Sequence, residues 1–217
     1  MASQIIYGVQ PVQEAERGRR RVHRVWRAPE TSGAELERLC GSPDHQGVVA
    51  EVDPYPYGDA EAMLRKSDAL IVALDQVQDP RNLGAVCRSA ESAGAAGVIV
   101  PERRAAMVTP VACKTSAGAV EHLEVAHVRN LADWLAAAKE AGFWIWGADA
   151  DGDQPPWGVD LTGPTVLVLG GEGKGLRPRV ASSCDGLVAL PSLGRVESLN
   201  VSAAATALLF ESVRQRS

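Results

Sequence analysis

The sequence predicts an α/β fold, a parallel sheet flanked by helices and preceded by a small mixed unit. ALIVAL (69–74) is a short, continuous apolar run, as expected of a strand covered on both faces, and further strand-like runs such as TVLVLG (165–170) follow it. Segments of helical periodicity alternate with them, the pattern of strand–helix–strand units. The composition, 46% apolar and 23% charged over 217 residues, is that of an ordinary globular chain and excludes a disordered or collagen-like one.

Taken in order, the first 65 or so residues form the mixed unit. RVHRVWR (21–27) alternates as a half-exposed strand does, 34–40 has helical spacing, GVVAEV (47–52) is a buried strand and 59–66 a second helix. Pro54, Pro56 and Gly58 break the chain between these last two, and a boundary is placed near Tyr57 to Ser67, giving units 1–65 and 66–217. So small a unit buries too little surface to stand alone and is expected to lean on the remainder. After the strand 69–74 comes a helix over 83–93, with Gly94 past its end, then the strand GVIV (97–100). A helix over 110–116 leads to the strand LEVAHV (123–128). Asn130 is placed to cap a helix over 131–141 that Gly142 ends. FWIWGA (143–148), TVLVLG (165–170) and GLVALP (186–191) are the remaining strands, and 201–214 the last helix.

No apolar run approaches the roughly 20 residues that span a bilayer, and MASQIIYGVQPV lacks the basic-then-apolar order of a secretion signal. Cys40, Cys87, Cys113 and Cys184 form no C-x-x-C pair, so reduced thiols in a cytoplasmic protein are expected. His23, His45, His122 and His127 have no metal-ligand spacing, and no metal is expected. The net charge of −5 argues against a chain that coats nucleic acid over its whole surface. Yet six arginines (17, 19, 20, 21, 24 and 27) fall within eleven residues. Guanidinium forks suit phosphate oxygens and stack on bases, whereas a solvated edge strand explains the run equally well.

In a sheet of this kind, ligands sit beyond the carboxyl ends of the strands. Three polar, glycine- and serine-rich stretches have that placement: 74–97, 169–176 and 190–205. The second is not a Walker loop, because Lys174 is followed by Gly175 rather than a hydroxyl residue, and G-x-G-x-x-G fails at Leu176. What remains is a loop whose glycines let main-chain groups approach a ligand, suiting a nucleoside-like cofactor, or else a plain tight turn. Trp144 and Trp146 share one strand face and read as core. Lys114 reads either as facing RNA or as a solvated helix end.

DPRNLGAVCRSAESAG (79–94), LGGEGKGL (169–176) and LPSLGRVESLNVSAAA (190–205) resemble, in order and spacing, the three motifs of SpoU-type (TrmH-like) RNA 2′-O-ribose methyltransferases of the SPOUT superfamily. IIYGVQPVQEA (5–15) and QGVVAEV (46–52) extend the likeness to the branch that methylates guanosine in 23S rRNA. The resemblance implies a C-terminal trefoil knot, an L30e-like N-terminal RNA-binding domain shortened here between Arg27 and Gly47, and a homodimer. It implies that S-adenosyl-L-methionine is held mainly by the backbone of Gly170, Leu190 and Leu199. Asn82, Arg88, Glu172, Ser198 and Asn200 become the catalytic set, and Arg19, Arg20, Arg21 and Arg24 the RNA-binding set. A helix would put Asn82 and Arg88 less than two turns apart, able to border one cleft. Guanidinium stays protonated, so Arg88 is read as gripping a phosphate and lowering the pKa of the ribose hydroxyl rather than as a plain base. Glu172 divides between proton handling and loop structure, and Ser198 or Asn200 doubles as an N-cap of the last helix. Two alternatives stand beside this reading: a tRNA 2′-O-ribose methyltransferase of the same family, and a silent RNA-binding or ribosome-assembly factor that keeps the fold.

Overall fold

The computed structural model describes residues 3–171, 175–195 and 198–217. β1 (Gln4–Tyr7) turns at Gly8, φ +100°, into α1 (Val9–Arg17), which leads to β2 (Val22–Arg27). α2 (Gly33–Cys40) starts at Ser32, whose hydroxyl accepts the Glu35 N–H, and ends at left-handed Gly41. β3 (Val48–Val52) then lies between the other two strands in an antiparallel sheet of order β1-β3-β2.

After α3 (Ala60–Met63) the chain enters the large sheet. Its strands are β4 (Leu70–Asp75), β5 (Gly97–Pro101), β6 (Val125–Val128), β7 (Trp144–Ala148), β8 (Thr165–Gly170) and β9 (Gly186–Val188). They lie in the order β6-β5-β4-β8-β7-β9, every neighbouring pair parallel. The intervening helices are α4 (Pro80–Ser92), α5 (Pro110–Thr115), α6 (Leu131–Glu140), α7 (Pro178–Ala181) and α8 (Val201–Arg216). β4 alternates between the two faces: Leu70, Val72 and Leu74 meet α4, α5 and α8, while Ile71 and Ala73 meet α3, α6 and α7. Every residue of β4 is buried, which is why its sequence is apolar from Leu70 to Leu74, with only Asp75 at its end charged. At about 1.5–3 kcal/mol for each large aliphatic side chain removed from water, this strand anchors the domain.

The small sheet does not stand apart. Ile6, Val12, Val48, Ala50, Val52 and Tyr55 belong to the same apolar cluster as Leu70, Val72, Leu83 and Val86. Gly58 forms a parallel bridge with Ala126, and Met63 is fully buried against the opposite face of the large sheet. The leaning expected of so small a unit thus takes the form of a shared core.

Several expectations change in detail. The segment 5–15, singled out only as a motif, forms β1 and α1. The helix over 59–66 shortens to α3 followed by turns, and GLVALP pairs only to Val188, after which Ala189 turns its N–H to the Gln154 carbonyl. Trp144 and Trp146 stack on one face at 6.5 Å, but Trp144 is 57% exposed, so it corrects the reading of both as core. The segments on either side of β9 that would carry the crossing of a trefoil knot contain residues 172–174 and 196–197, outside the described residues.

Candidate active site

The strand order changes direction at β4, with β5 and β6 to one side and β8 to the other, and the crevice beyond such a point is where an open α/β sheet receives ligands. A cavity of about 350 Å³ opens there. Its walls come from the turn after β4 (Gln76 to Asp79), Asn82 at the start of α4, Gly171 and Gly175 after β8, and Val201 at the start of α8. The three polar stretches marked in the sequence therefore converge. The volume lies within the 300–1,000 Å³ usual for small-ligand pockets.

Each wall has a local cause. Asp79 caps α4 by accepting the Arg81 N–H at 2.8 Å, with Pro80 in the first turn, and so sets Asn82 facing the crevice. Asn200 caps α8, its Oδ1 accepting from the Ser202 N–H (2.9 Å) and hydroxyl (2.6 Å). Its Nδ2 donates to Asn82 Oδ1 at 3.1 Å, tying the ends of two helices 118 residues apart in sequence. Asn200 is thus the cap, and it also binds Asn82.

The glycine loop is closed by main-chain contact. The Gly171 N–H donates to the Asp75 carbonyl (2.8 Å), and Gly171 pairs with Gly175 across the loop. A Cβ at Gly170 would stand 2.2 Å from the Gly175 carbonyl carbon, so no side chain fits there. The far end is held by a residue that sequence reasoning passed over. Asp75, its carboxylate buried at the end of β4, accepts from Arg177 N–H (2.8 Å), Nε (2.7 Å) and Nη2 (2.6 Å). A charged residue closing an otherwise apolar strand run was the signal available for it.

The remaining sequence candidates separate. Gly170 sits directly behind Gly171. Leu190 packs half-buried on the main core, and Leu199 and Ser198 are exposed beside Asn200. Glu172 lies outside the described residues. Arg88 is six residues, about 9 Å, along α4 from Asn82. It is exposed and lines a separate cleft with Glu14, Ser116 and His122. Asn82 and Arg88 therefore do not border one cleft within a single chain, because positions six apart on a helix differ by about 120° in direction.

Arg20 is corrected most sharply. Its side chain is 1% exposed and paired through both Nε (2.9 Å) and Nη2 with the equally buried Glu121, while Nη1 donates to Gln4 (2.7 Å). The carboxylate holds the guanidinium's pKa above its usual value despite burial, which works the other way. It joins the two units and cannot reach RNA. Arg19 donates to the Tyr55 hydroxyl and the Leu123 carbonyl, and Arg24 stacks over Trp26 at 4.8 Å. Arg17 and Arg27 pair with Glu14 and Glu16. Arg21 is exposed. Lys114 lies in the seam between the units, 6.0 Å from the Tyr7 ring, with burial lowering its pKa, so it is not a solvated helix end.

The SpoU rRNA Methylase family model matches residues 69–210, and a model for RNA 2′-O ribose methyltransferase substrate binding matches residues 27–58. The chain belongs to the SpoU rRNA methylase family. It is 40% identical to the 23S rRNA (guanosine-2′-O-)-methyltransferase RlmB of Pseudomonas putida, across 97% of this chain and 96% of that protein. It is 46% identical to an uncharacterized tRNA/rRNA methyltransferase of Mycolicibacterium vanbaalenii over 84% of this chain, and spans about 60% of that relative's length. Its fold matches the SpoU methyltransferase AviRb from Streptomyces viridochromogenes, solved with AdoMet, with TM-score 0.85, 29% identity, and coverage of 99% and 90% of the two chains. Among the described residues no helix is long and apolar enough to cross a membrane.

Proposed function

We propose that this chain is an S-adenosyl-L-methionine-dependent RNA 2′-O-ribose methyltransferase acting on a guanosine of 23S rRNA. It would act in the cytoplasm as a homodimer, with residues 1–65 contributing to RNA binding and 66–217 to methyl transfer. The observation that carries the reading is the convergence of three strand-end segments on one crevice, closed by the Asn82–Asn200 and Asp75–Arg177 contacts.

The crevice fits the cofactor in its chemistry. Glycine backbone lies open at Gly171 and Gly175, with Gln76, Gln78 and Asp79 opposite, an arrangement that reads a nucleoside through the main chain. S-adenosyl-L-methionine supplies a methyl group activated on a sulfonium. The chain's task is to bring a ribose hydroxyl in line with it, and positioning of this kind accounts for much of such a reaction's rate. Asn82, tied to Asn200 and facing the crevice, orients polar groups at its mouth. Arg88, outside the crevice and exposed, is suited to an RNA phosphate rather than to the cofactor.

The test is incubation of the purified protein and isotopically labelled cofactor with unmodified 23S rRNA and, in parallel, unmodified tRNA, read by mass spectrometry of the nucleosides. The expected product is one 2′-O-methylguanosine per transcript. Label appearing only in tRNA would move the substrate to tRNA, and cofactor binding without label in either RNA would leave a silent binding factor.

A further inference from the structure

The six-arginine run that drew attention in the sequence is largely occupied within the protein, and unpaired cationic charge stands elsewhere. Arg81, Arg103, Arg104 and Arg129 are all exposed, and among the described residues none of them forms an ion pair. All four leave the carboxyl edge of the large sheet, the edge on which the crevice opens. Arg81 follows β4, Arg103 and Arg104 follow β5, and Arg129 follows β6. Ala73 pairs with Ile99 and Pro101 with Val128, so these strand ends lie side by side. Neighbouring strands are about 4.8 Å apart, so the row spans about 10 Å, or roughly three stacked nucleotides at about 3.4 Å each.

The central pair is pinned. The Glu102 N–H donates to the Val128 carbonyl (2.9 Å), and the Ala106 N–H donates to the carbonyl of Val77, itself a wall of the crevice (2.8 Å). Ala106 and Val108 are buried in the main core, and the Val108 N–H donates to the Tyr57 hydroxyl at 3.0 Å. Between these anchors Arg104 holds φ +58°, a left-handed conformation that costs a non-glycine residue about 1 kcal/mol or more. The loop thus presents two guanidinium groups to solvent from a fixed frame attached to the crevice wall. Glu102 is the acidic neighbour in the loop, leaving a net positive segment.

We infer that Arg103 and Arg104, flanked by Arg81 and Arg129, seat the RNA sugar-phosphate backbone beside the methyl-transfer crevice. This rests on the reading that the substrate is RNA, and it places the principal phosphate contacts on the catalytic sheet rather than on the arginines of β2. Planar guanidinium forks match phosphate oxygens, and such contacts release counterions, so affinity falls with salt in proportion to their number.

The experiment is filter binding of a 23S rRNA transcript to the full chain between 50 and 300 mM KCl, with cofactor affinity measured in parallel by calorimetry. The variants are Arg103→Gln/Arg104→Gln/Arg129→Gln and, for comparison, Arg21→Gln/Arg24→Gln. The triple variant should lower the slope of log affinity against log salt by about two, at about 0.7 for each contact to single-stranded RNA. At 150 mM KCl it should weaken binding at least tenfold while cofactor affinity stays as in the parent. An unchanged slope in a variant that still binds cofactor overturns the inference, as does a larger loss from the Arg21/Arg24 variant or an equal loss of binding to heparin. Should the triple variant fail to fold, Arg103→Gln alone carries the same test with a slope change of about 0.7. A parent protein that binds cofactor but retains no RNA overturns the RNA reading itself, an outcome distinct from the others.

Discussion

Asp75→Asn isolates the clamp on the glycine loop. The carboxylate is fully buried and takes three donors from Arg177, two of them on the guanidinium, at 2.6–2.8 Å. Asparagine keeps one acceptor oxygen and turns an amide donor toward a guanidinium donor, removing at least one charge-assisted hydrogen bond. Such bonds contribute about 1.5–3 kcal/mol each, and the Arg177 side chain is 43% exposed, so water recovers part of the loss. A net cost of about 2 kcal/mol follows, or roughly 4–8 °C in melting temperature for a chain of this size. Arg177→Ala should cost more, about 3 kcal/mol, because it strands a buried carboxylate with a single backbone donor. Freed at one end, the loop must be ordered when the cofactor binds, which weakens affinity about tenfold, or 1.4 kcal/mol. Differential scanning calorimetry and titration with S-adenosyl-L-methionine measure the two effects. A melting shift below about 2 °C with unaltered affinity would refute the reasoning, and Asp75→Asn outweighing Arg177→Ala would reverse its logic.

Other expectations follow from the same contacts. Glu121→Gln leaves Arg20 buried without its counter-charge and should lower stability by about 3–5 kcal/mol in urea unfolding, whereas Arg20→Met with Glu121→Leu should restore most of it. Arg88→Lys keeps the charge but loses the fork; turnover on RNA should fall about 10- to 100-fold with cofactor affinity unchanged, since Arg88 lies outside the crevice. Glu211 is held at a pKa of about 2, first by its hydrogen bond from Arg214 and then by that from Gln215, below its ordinary 4.5. Its contribution is therefore present above about pH 4.5 and disappears as pH falls toward 2, and Glu211→Gln should remove that portion of the acid sensitivity, read by carbon NMR of the carboxyl and by acid melts.

The large sheet was legible because burial on both faces writes itself as unbroken apolar runs, and strand–helix alternation allows few topologies. Its helix ends were legible too, at Asn130 and Gly142, where single residues supply a cap or a left-handed turn. Contacts between distant segments were not. Arg20 reads as one more basic residue in a cluster, and only folding brings Glu121, 101 residues away, against it. Asn82 and Asn200 were named through family likeness, but nothing local to either announces that they bond to each other. Arg103 and Arg104 look like an ordinary polar loop until the parallel register sets β5 beside the crevice.

The common core beneath the two sheets decides what can be cut from this chain without harm to the rest. A module connected only by a tether can be removed whole without disturbing its neighbour. Here Ile6, Val12 and Val52 are part of the same interior as Leu70 and Val72 of β4, so cutting away the small sheet would open apolar surface that now lies buried. Change on the solvent-facing rim, where Arg21 and Arg103 stand, leaves that interior untouched.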